Sequence, residues 1–371
     1  MKKRGKEKLS ACAARLVLSF VVALATVTFL PLIDTNTWWI RYLDFPRVQI
    51  FFCLLILTAI AIILRSQISK VGTIVVGIGL LALGHQAFKL YPFSSLSANA
   101  AESFDTCSTG SSFTLLIANV RKRNEDAAAF LNVVEAVNPD LLLILETDNW
   151  WDRSLQSLDD RFPEKVQFIP EGHGAFGMHV FSRLPLINPE FQFLFDGYTP
   201  MAVMGVKLRS GAVVQFVGVH PHPPLAWSQP TTLRDASLLQ AALLAGSSPS
   251  ATIVAGAFNS VPWEPVTRRA ARIGRLLDPR IGRGIMPTFR VDSSLISWPL
   301  DQILFQEEFG LLEFGVLPAF GSDHYPVTAS LCHAPGRDGL AAAPEANPGD
   351  IAEAEDSIEE AKVVGATNDG E

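Results

Sequence analysis

The stretch Gly321-Ser322-Asp323-His324-Tyr325-Pro326-Val327 places an Asp-His pair at the entrance of the last apolar strand that the sequence pattern predicts. Polar residues also stand at the ends of five earlier strands, at well-separated places in the chain: Asn119, Glu146, His220, Asn259 and Asp301. Two packed layers can bring strand ends that are distant in sequence to one edge. The ordered set therefore predicts a single active site assembled from six parts of the chain.

Composition divides the chain into two unlike parts. Of its 371 residues 49% are hydrophobic, and the mean hydropathy of +0.26 reflects an apolar excess in the first hundred residues. The rest is long enough for one domain of roughly 230 residues. The net charge of −7 comes largely from the tail after Ala334, so the folded part is close to neutral. It has no basic stripe that would follow a phosphate backbone, which makes long duplex DNA a poor first choice of substrate.

Residues 1–92 are predicted to form a membrane anchor. Three apolar runs, Ala11–Leu32, Val48–Leu64 and Val71–Leu90, are each close to the roughly 20 residues that cross a bilayer as a helix. The alternative for the first run is a cleaved signal peptide with a basic start. No small-residue cleavage site follows that run and two further apolar runs do, so the pattern favours three transmembrane helices.

The cations predict the orientation of this anchor. Five lie before residue 9, and Arg65 and Lys70 lie between the second and third runs, so the positive-inside rule puts both places in the cytoplasm. Everything after Tyr91 is then outside, which in a bacterium means an inner-membrane protein with its catalytic domain on the periplasmic side. Arg41 and Arg47, between the first two runs, count against this orientation.

Two of the four cysteines bracket the domain. Cys107 precedes its first strand and Cys332 follows its last, and an oxidising compartment would allow a disulfide between them. Two unpaired thiols are equally compatible with the sequence. Cys12 and Cys53 lie in or beside the apolar runs and are expected to be inert packing residues.

Beyond the anchor the pattern predicts a linker at 93–112, an α/β domain at 113–333 and a disordered acidic tail at 334–371. The linker is rich in serine and small residues, and the tail has too few large apolar residues to fold. The domain has many strands with helices between them, which indicates two sheets packed face to face with helices outside. The predicted helices are Glu125–Val137, Leu233–Leu244 and Glu264–Ile273, and the predicted strands include Phe113–Asn119, Asp140–Leu145, Val213–Val219, Ala251–Ala255 and Val327–Leu331.

The strand-end residues match the requirements of phosphodiester cleavage. Such a reaction uses a divalent metal to neutralise the phosphate, and hard oxygen ligands hold that metal. Glu146 and Asn119 would supply a carboxylate and an amide oxygen for Mg²⁺, and Asp323 would add a further carboxylate. His324 and His220 are the proton carriers at strand ends, and one of them needs a partner to orient it. Two more residues complete the set, Asp301 as that partner and Asn259 as an amide N–H donor to a phosphate oxygen.

Each of these residues also has an ordinary structural explanation. A lone Asn or Glu at a strand end is usually a cap or a solvated side chain, so the prediction depends on the whole set. His222 and His173 lie in Pro- and Gly-rich turns and are expected to be structural or at the rim of the site. Tryptophans such as Trp298 more often pack than form a stacking platform.

From about Phe113 to Cys332 the chain resembles the endonuclease/exonuclease/phosphatase superfamily, the fold of DNase I, the apurinic endonucleases and the neutral sphingomyelinases. The resemblance is carried by seven motifs: Ile117-Ala118-Asn119-Val120, Leu145-Glu146, Gly177 with Phe181-Ser182-Arg183-Leu184-Pro185, Gly218-Val219-His220-Pro221, Gly256-Ala257-Phe258-Asn259, Leu300-Asp301-Gln302-Ile303-Leu304 and Ser322-Asp323-His324-Tyr325-Pro326-Val327. The N-terminal apolar runs, and His-Pro-His-Pro-Pro at 220–224 followed by Arg234, resemble the bacterial membrane-anchored branch.

The resemblance implies a four-layered α/β sandwich and hydrolysis of phosphoesters that depends on Mg²⁺ or Mn²⁺. It assigns roles by position, with Asn119, Glu146 and Asp323 at the metal, His324 as general base or phosphate-polarising group held by Asp301, and His220, Asn259 and Arg234 on the substrate. The substrate would be a nucleic acid, a nucleotide or a phospholipid headgroup. The near-neutral domain and its tether favour a small or lipid-borne phosphoester, and no obligate protein partner is indicated.

Two positions depart from the family pattern. The usual Gly-Asp-Phe-Asn has become Gly-Ala-Phe-Asn, so Ala257 cannot position or deprotonate the attacking water, and Gln302 replaces a histidine. Loss of a general base commonly costs about 10² to 10⁴ in rate. Either another group supplies the base, or the protein binds or senses a phosphoester without rapid turnover. A purely structural membrane protein is the third class of function that the sequence leaves open.

Overall fold

The computed structural model of the chain describes residues 2–64, 68–121, 123–172, 174–224, 230–337 and 342–368. Arg65, used above to orient the anchor, and His173, expected at the rim of the site, lie outside the described residues.

Two mixed sheets form the centre of the domain. Their strands are β1 (Ser112–Asn119), β2 (Leu141–Leu145), β3 (Glu164–Phe168), β4 (Met178–Ser182), β5 (Leu186–Gln192), β6 (Met201–Lys207), β7 (Val213–Val219), β8 (Thr252–Ala257), β9 (Asp301–Phe305), β10 (Phe309–Val316) and β11 (Val327–His333). The first sheet has the order β10-β11-β1-β2-β4-β3 and the second the order β5-β6-β7-β8-β9. Only β1 with β2 and β7 with β8 pair in parallel, and these four strands end in predicted site residues or beside them.

The apolar pattern of the strands explains why the sheets pack together. The β2 sequence Leu-Leu-Leu-Ile-Leu is buried along its whole length, as expected for a strand covered on both faces. One set of its side chains joins residues of the second sheet in a shared core, which includes Leu143, Met204, Phe216 and Ile303. Strand ends from both sheets therefore meet along one edge of the sandwich.

Helices cover the two outer faces. The helices are α1 (Lys2–Phe29), α2 (Trp38–Arg41), α3 (Arg47–Ile63), α4 (Lys70–Leu90), α5 (Ala127–Val137), α6 (Asn149–Ser154), α7 (Thr232–Ser247), α8 (Pro265–Ile273) and α9 (Asp350–Asn368). Helices α5 and α6 pack on the first sheet through residues such as Phe130 and Trp151. Helices α7 and α8 pack on the second through residues such as Leu238 and Ala270. The predicted α/β sandwich is confirmed. Strand β5 and helix α6 were not predicted.

The first hundred residues contain the expected apolar helices. In the described part of the chain, Ser10–Leu32 and Lys70–Phe93 are long and apolar enough to cross a membrane, by length and composition. Trp38–Asp44 and Arg47–Ile63 together pass the same test but are bent by 67° at the break between them. Helices α1, α3 and α4 pack against one another around Ala25, Leu54 and Ala82.

The segment between α1 and α3 is bound tightly to the α/β domain. The guanidinium of Arg41 is buried and pairs with Glu264 at 2.9 Å and with Asp235 at 3.1 Å. Trp263 donates its indole N–H to the carbonyl of Asp44 at 2.7 Å. The linker packs as well, because Phe104 is buried and its N–H donates to a β10 carbonyl. The helical region and the domain therefore share a polar interface that is shielded from water.

Replacement of Arg41 by alanine should destabilise this interface. It leaves the carboxylates of Glu264 and Asp235 buried with less compensation, and removal of one partner from a buried ion pair costs roughly 3–5 kcal/mol. We expect a clear fall in the thermal unfolding midpoint of the full-length protein in detergent. Arg209→Ala is the matched control, because the Arg209 side chain is 44% exposed where it pairs with Asp140. Equal midpoints for the two variants would contradict this account of the interface.

The C-terminal tail differs from its prediction. The sequence predicts disorder after Ala334, but 350–368 form helix α9, which packs on α7. Its buried residues are mostly small, and Ala354, Ile358 and Ala361 face α7 with helical spacing. The prediction was wrong because it required large apolar residues, whereas a stripe of small residues lets two helices approach closely. Asp350 at the start of α9 pairs with Arg272 at 2.7 Å, which holds the pKa of this carboxyl at about 2.

The structure also decides the state of two cysteines. Cys107 and Cys332 form a disulfide that ties the entry of the domain to the end of β11. Cys12 and Cys53 are free thiols exposed on the apolar helices.

Candidate active site

A cavity of about 560 Å³ opens at the edge where the strand ends meet. Five residues expected from the sequence line it: Glu146, His220, Asn259, Asp323 and His324. They come from the ends of β2 and β7, the turn after β8 and the loop before β11. The structure therefore brings together side chains that are as far as 178 positions apart in sequence, from 146 to 324.

Two further predicted residues lie directly behind this lining. Asn119 and Asp301 are almost completely buried. The Nδ2 of Asn119 donates to Oε1 of Glu146 at 2.7 Å. The Oδ2 of Asp301 lies 2.7 Å from Nδ1 of His324. Each therefore positions one residue of the cavity.

The backbone around Glu146 explains how its carboxylate reaches the cavity. Glu146 directly follows β2 and has a φ of 60°, a left-handed conformation that is uncommon for a residue with a side chain. Such strained residues cluster at functional sites and persist when their surroundings fix them. The next residue, Thr147, lies against Gly177, which directly precedes β4. A Cβ at position 177 would sit 1.7 Å from the carbonyl oxygen of Thr147. Only glycine at 177 allows this approach.

His324 is fixed by a chain of hydrogen bonds. Ser322 donates to the carbonyl of Asn119 at 2.7 Å and accepts from the N–H of His324 at 3.1 Å, which joins the loop before β11 to the end of β1. Burial alone would lower the pKa of His324, but the charge of Asp301 and its hydrogen bond outweigh burial, so the pKa is raised. His324 is therefore suited to carry a proton beside a phosphate.

The pKa of His220 is shifted in the opposite direction. This histidine is buried, and its Nε2 lies 3.8 Å from Oε1 of Glu146. Burial lowers its pKa, and the nearby charge of Glu146 opposes this only in part. The site thus places one histidine that favours the protonated form beside one that favours the neutral form, which is an arrangement suited to proton transfer.

The structure contradicts one predicted substrate contact. Arg234 is 1% exposed and is absent from the described lining of the cavity. Its guanidinium pairs with Asp235 and Glu264 and donates to the backbone carbonyl of Asn259 at 3.0 Å. The position in α7 turns this side chain into the interior. Arg234 supports Asn259, whose own Nδ2 donates to Pro221 at 2.8 Å.

Ala257 is the position at which the sequence analysis expects a carboxylate to be missing. It is fully buried, pairs with Asp301 across β8 and β9, and precedes Asn259 by two residues. A Cβ on Gly256 would sit 1.9 Å from the carbonyl oxygen of Val219, so the backbone before Ala257 is held closely against β7. Gln302, the second departure, is buried and bridges Ser260 and Arg280 with hydrogen bonds of 2.7 Å.

Two carboxylates line the cavity, Glu146 and Asp323, which fits a Mg²⁺ site, and Asp323 also pairs with Arg121 at 3.4 Å. Among the described residues no lysine or arginine pairs with Glu146, and its ion-pair partner is His220. Asn119 directs its amide nitrogen at Glu146, and its Oδ1 accepts from the N–H of Arg121 at 2.9 Å. No group of three or more His, Cys, Asp or Glu side chains that could hold a metal occurs in the described part of the chain. Mg²⁺ commonly binds one or two carboxylates and keeps waters or substrate phosphate as its other ligands.

Aromatic residues form much of the rest of the cavity wall, together with His222, Pro223 and Pro224. Phe176, Phe289 and Trp298 line it, and Tyr42 and Phe45 reach it from the segment between α1 and α3. The sequence analysis did not place any of these five in the site. The sequence gave little indication of them, because Trp298 fits a core position equally well. Tyr42 and Phe45 precede the domain by some seventy residues.

The chain belongs to the endonuclease/exonuclease/phosphatase family, whose model matches residues 116–324. Solved structures with the same fold include D. rerio TDP2 humanised by 14 mutations (14% identity, 60% of this chain and 99% of that chain covered, TM-score 0.51). Truncated Caenorhabditis elegans TDP2 (13%, 60% and 99%, 0.50) and D. rerio TDP2 complexed with single-strand DNA product (12%, 60% and 99%, 0.51) are similar. A comparison with curated proteins found no match.

Proposed function

We propose that this protein is a membrane-anchored phosphoester hydrolase that depends on Mg²⁺ or Mn²⁺. The observation that carries the proposal is the meeting of Glu146, His220 and His324 in one cavity, with Asn119 and Asp301 bonded behind them. Enzymes of this superfamily are phosphoester hydrolases that generally use divalent metals. A structural role alone would not require a carboxylate and two buried histidines to converge on a cavity.

The residues have separate tasks in this proposal. Glu146 and Asn119 would hold the metal, with Asp323 as a further carboxylate, and a bound metal would supply positive charge to the phosphate. His324, oriented by Asp301, donates an N–H to a phosphate oxygen and stabilises the charge that grows there. Two other residues make substrate contacts, His220 from the end of β7 and Asn259 through its second amide N–H.

The proposal assigns no general base for the attacking water, because Ala257 has no group that can accept a proton. The competing function is a phosphoester-binding or sensing protein with slow turnover or none. Such a binding protein would keep the same contacts to metal and phosphate, because these contacts do not involve position 257.

We further propose that the three apolar segments cross the inner membrane of a bacterium and leave the domain in the periplasm. The disulfide between Cys107 and Cys332 supports an oxidising compartment. Arg41 and Arg47, which count against this orientation, are both paired with buried carboxylates. The proposal keeps the boundaries expected from the sequence, with an anchor up to residue 92, a linker up to residue 112 and the α/β domain up to residue 333.

The proposal is tested with the purified full-length protein. We expect hydrolysis of bis-p-nitrophenyl phosphate, single-stranded DNA or phospholipid vesicles with Mg²⁺ or Mn²⁺, and loss of that activity in Glu146→Gln, which keeps the shape of the side chain but not its charge. Binding of metal and phosphoester without turnover of any of the three would favour the binding protein.

A further inference from the structure

The aromatic wall of the cavity comes partly from the membrane anchor. The rings of Tyr42 and Phe45 stack at 4.7 Å between centroids and 14° between planes. Both stand edge-on to Trp298, at 5.8 and 5.7 Å. The ring of Trp298 stacks on Phe289, which lies 4.8 Å from the ring of His324. A continuous apolar surface therefore leads from the anchor to the catalytic end of the cavity.

This wall stands where the chain enters an apolar helix. Phe45 precedes α3 by two residues, and Gln49 in the first turn of α3 donates to the carbonyl of Leu295. Leu295 is 78% exposed and its neighbour Ile296 is 47% exposed, although both lie in a loop of the α/β domain. Exposed apolar side chains beside a helix that can enter lipid are suited to contact with the bilayer surface.

The charge of the cavity limits what can occupy it. No described lysine or arginine lines this cavity, and the two arginines of the adjoining cavity, Arg121 and Arg290, are paired with Asp323 and Asp292. Binding of a nucleic acid relies on cations that neutralise successive phosphates, and single strands also need exposed ring faces on which bases stack. Tyr42 and Phe45 instead direct ring faces at each other, and Trp298 is nearly buried between its neighbours. Such a surface is better suited to an apolar chain than to a base.

We propose that Tyr42, Phe45 and Trp298 form a subsite for the apolar chain of a membrane lipid whose phosphoester is the substrate. The inference rests on the proposed function and adds to it the substrate class and two specificity-determining residues outside the catalytic domain. The loop with Leu295 and Ile296 contacts the lipid surface, and the chain slides along the aromatic wall until its phosphate reaches His324. The subsite is incomplete when the domain is cut from its anchor.

A series of alkyl p-nitrophenyl phosphates tests the subsite. Water attacks phosphorus, the bond to the nitrophenolate oxygen breaks, and the products are p-nitrophenolate and an alkyl phosphate, so the reacting bond is the same throughout. With the full-length protein in nanodiscs, kcat/KM should rise by up to about fourfold per added methylene over chains of about two to ten carbons, because each buried CH₂ contributes to binding. The variant Phe45→Ser, and the milder variants Phe45→Leu and Tyr42→Ser, should reduce the rise in kcat/KM per added methylene.

A binding measurement keeps the subsite testable without turnover. Calorimetric titration with the alkyl phosphates themselves should show the same dependence on chain length. Phe193→Ser is a control at an exposed phenylalanine that does not line the cavity, and its chain-length dependence should equal that of the unaltered protein.

The outcomes separate the two proposals. Chain-dependent binding without hydrolysis of any ester would overturn the hydrolase and keep the subsite. Hydrolysis that does not depend on chain length, or that depends on it equally in Phe45→Ser and Phe193→Ser, would overturn the subsite and keep the hydrolase. Leu295→Ser should slow hydrolysis of the ester in vesicles several-fold, whereas Val213→Ser, an exposed position at the end of β7 remote from His220, should not.

Discussion

Replacement of Ala257 by aspartate is expected to raise the turnover number of the full-length protein by about 10² to 10⁴-fold, the usual contribution of a general base. The carboxylate would enter beside Asp301, with which position 257 pairs, and two residues before Asn259. Asp301, Asn259 and His324 are all present around this position, although Gln302 stands where the family pattern leads us to expect a histidine. The measurement is the rate of bis-p-nitrophenyl phosphate hydrolysis at saturating Mg²⁺.

Ala257→Asn is the control for this gain. It has nearly the same shape as aspartate but no charge, so it should leave the rate unchanged. Because position 257 is fully buried, the thermal midpoint of both variants should be recorded, since an unpaired buried charge is costly. If both fold and Ala257→Asp gains nothing while Glu146→Gln is inactive, another group already acts as the base.

Replacement of His324 by alanine should lower kcat by about 10² to 10⁴-fold, because it removes the proton donor that faces the substrate phosphate. Asp301→Asn should give a smaller loss, since the hydrogen bond to His324 can persist while the charge that raises its pKa is gone.

His333→Ala is the matched control for His324→Ala. His333 ends β11, whereas His324 lies in the loop that precedes this strand, and His333 does not line the cavity. Its loss should leave kcat unchanged. A wild-type rate in His324→Ala, with metal binding intact, would remove this residue from the mechanism.

The sequence was sufficient to predict most of the sandwich and much of the site. Strand β2 was recognisable because a short run of five apolar residues buries both faces. Glu146, which follows β2, and His324, which precedes β11, were recognisable only as members of the ordered set, because a lone polar residue at a strand end is usually a cap or a solvated side chain. Their meeting in one cavity was predicted from the ordered set. Asn119 was predicted as a metal ligand and Asp301 as the partner of a histidine, and both prove to be buried behind the cavity.

Other features depended on three-dimensional contacts that leave little trace in the sequence. Arg234 was expected at the substrate, but a charged residue in a helix can turn inward when it meets Glu264. Helix α9 was missed because its contacts are made by small residues. The contribution of Tyr42 and Phe45 to the cavity was missed because nothing in an apolar anchor indicates which domain surface it will touch.

The most direct test of the account is the dependence of phosphodiester hydrolysis on metal. The rate of bis-p-nitrophenyl phosphate hydrolysis by the full-length protein would be measured before and after EDTA, and again after Mg²⁺ or Mn²⁺ is added back. We predict that EDTA abolishes the rate and that either metal restores it, except in Glu146→Gln. A rate that survives EDTA, or that metal restores equally in Glu146→Gln, would contradict a metal-dependent hydrolase built on Glu146.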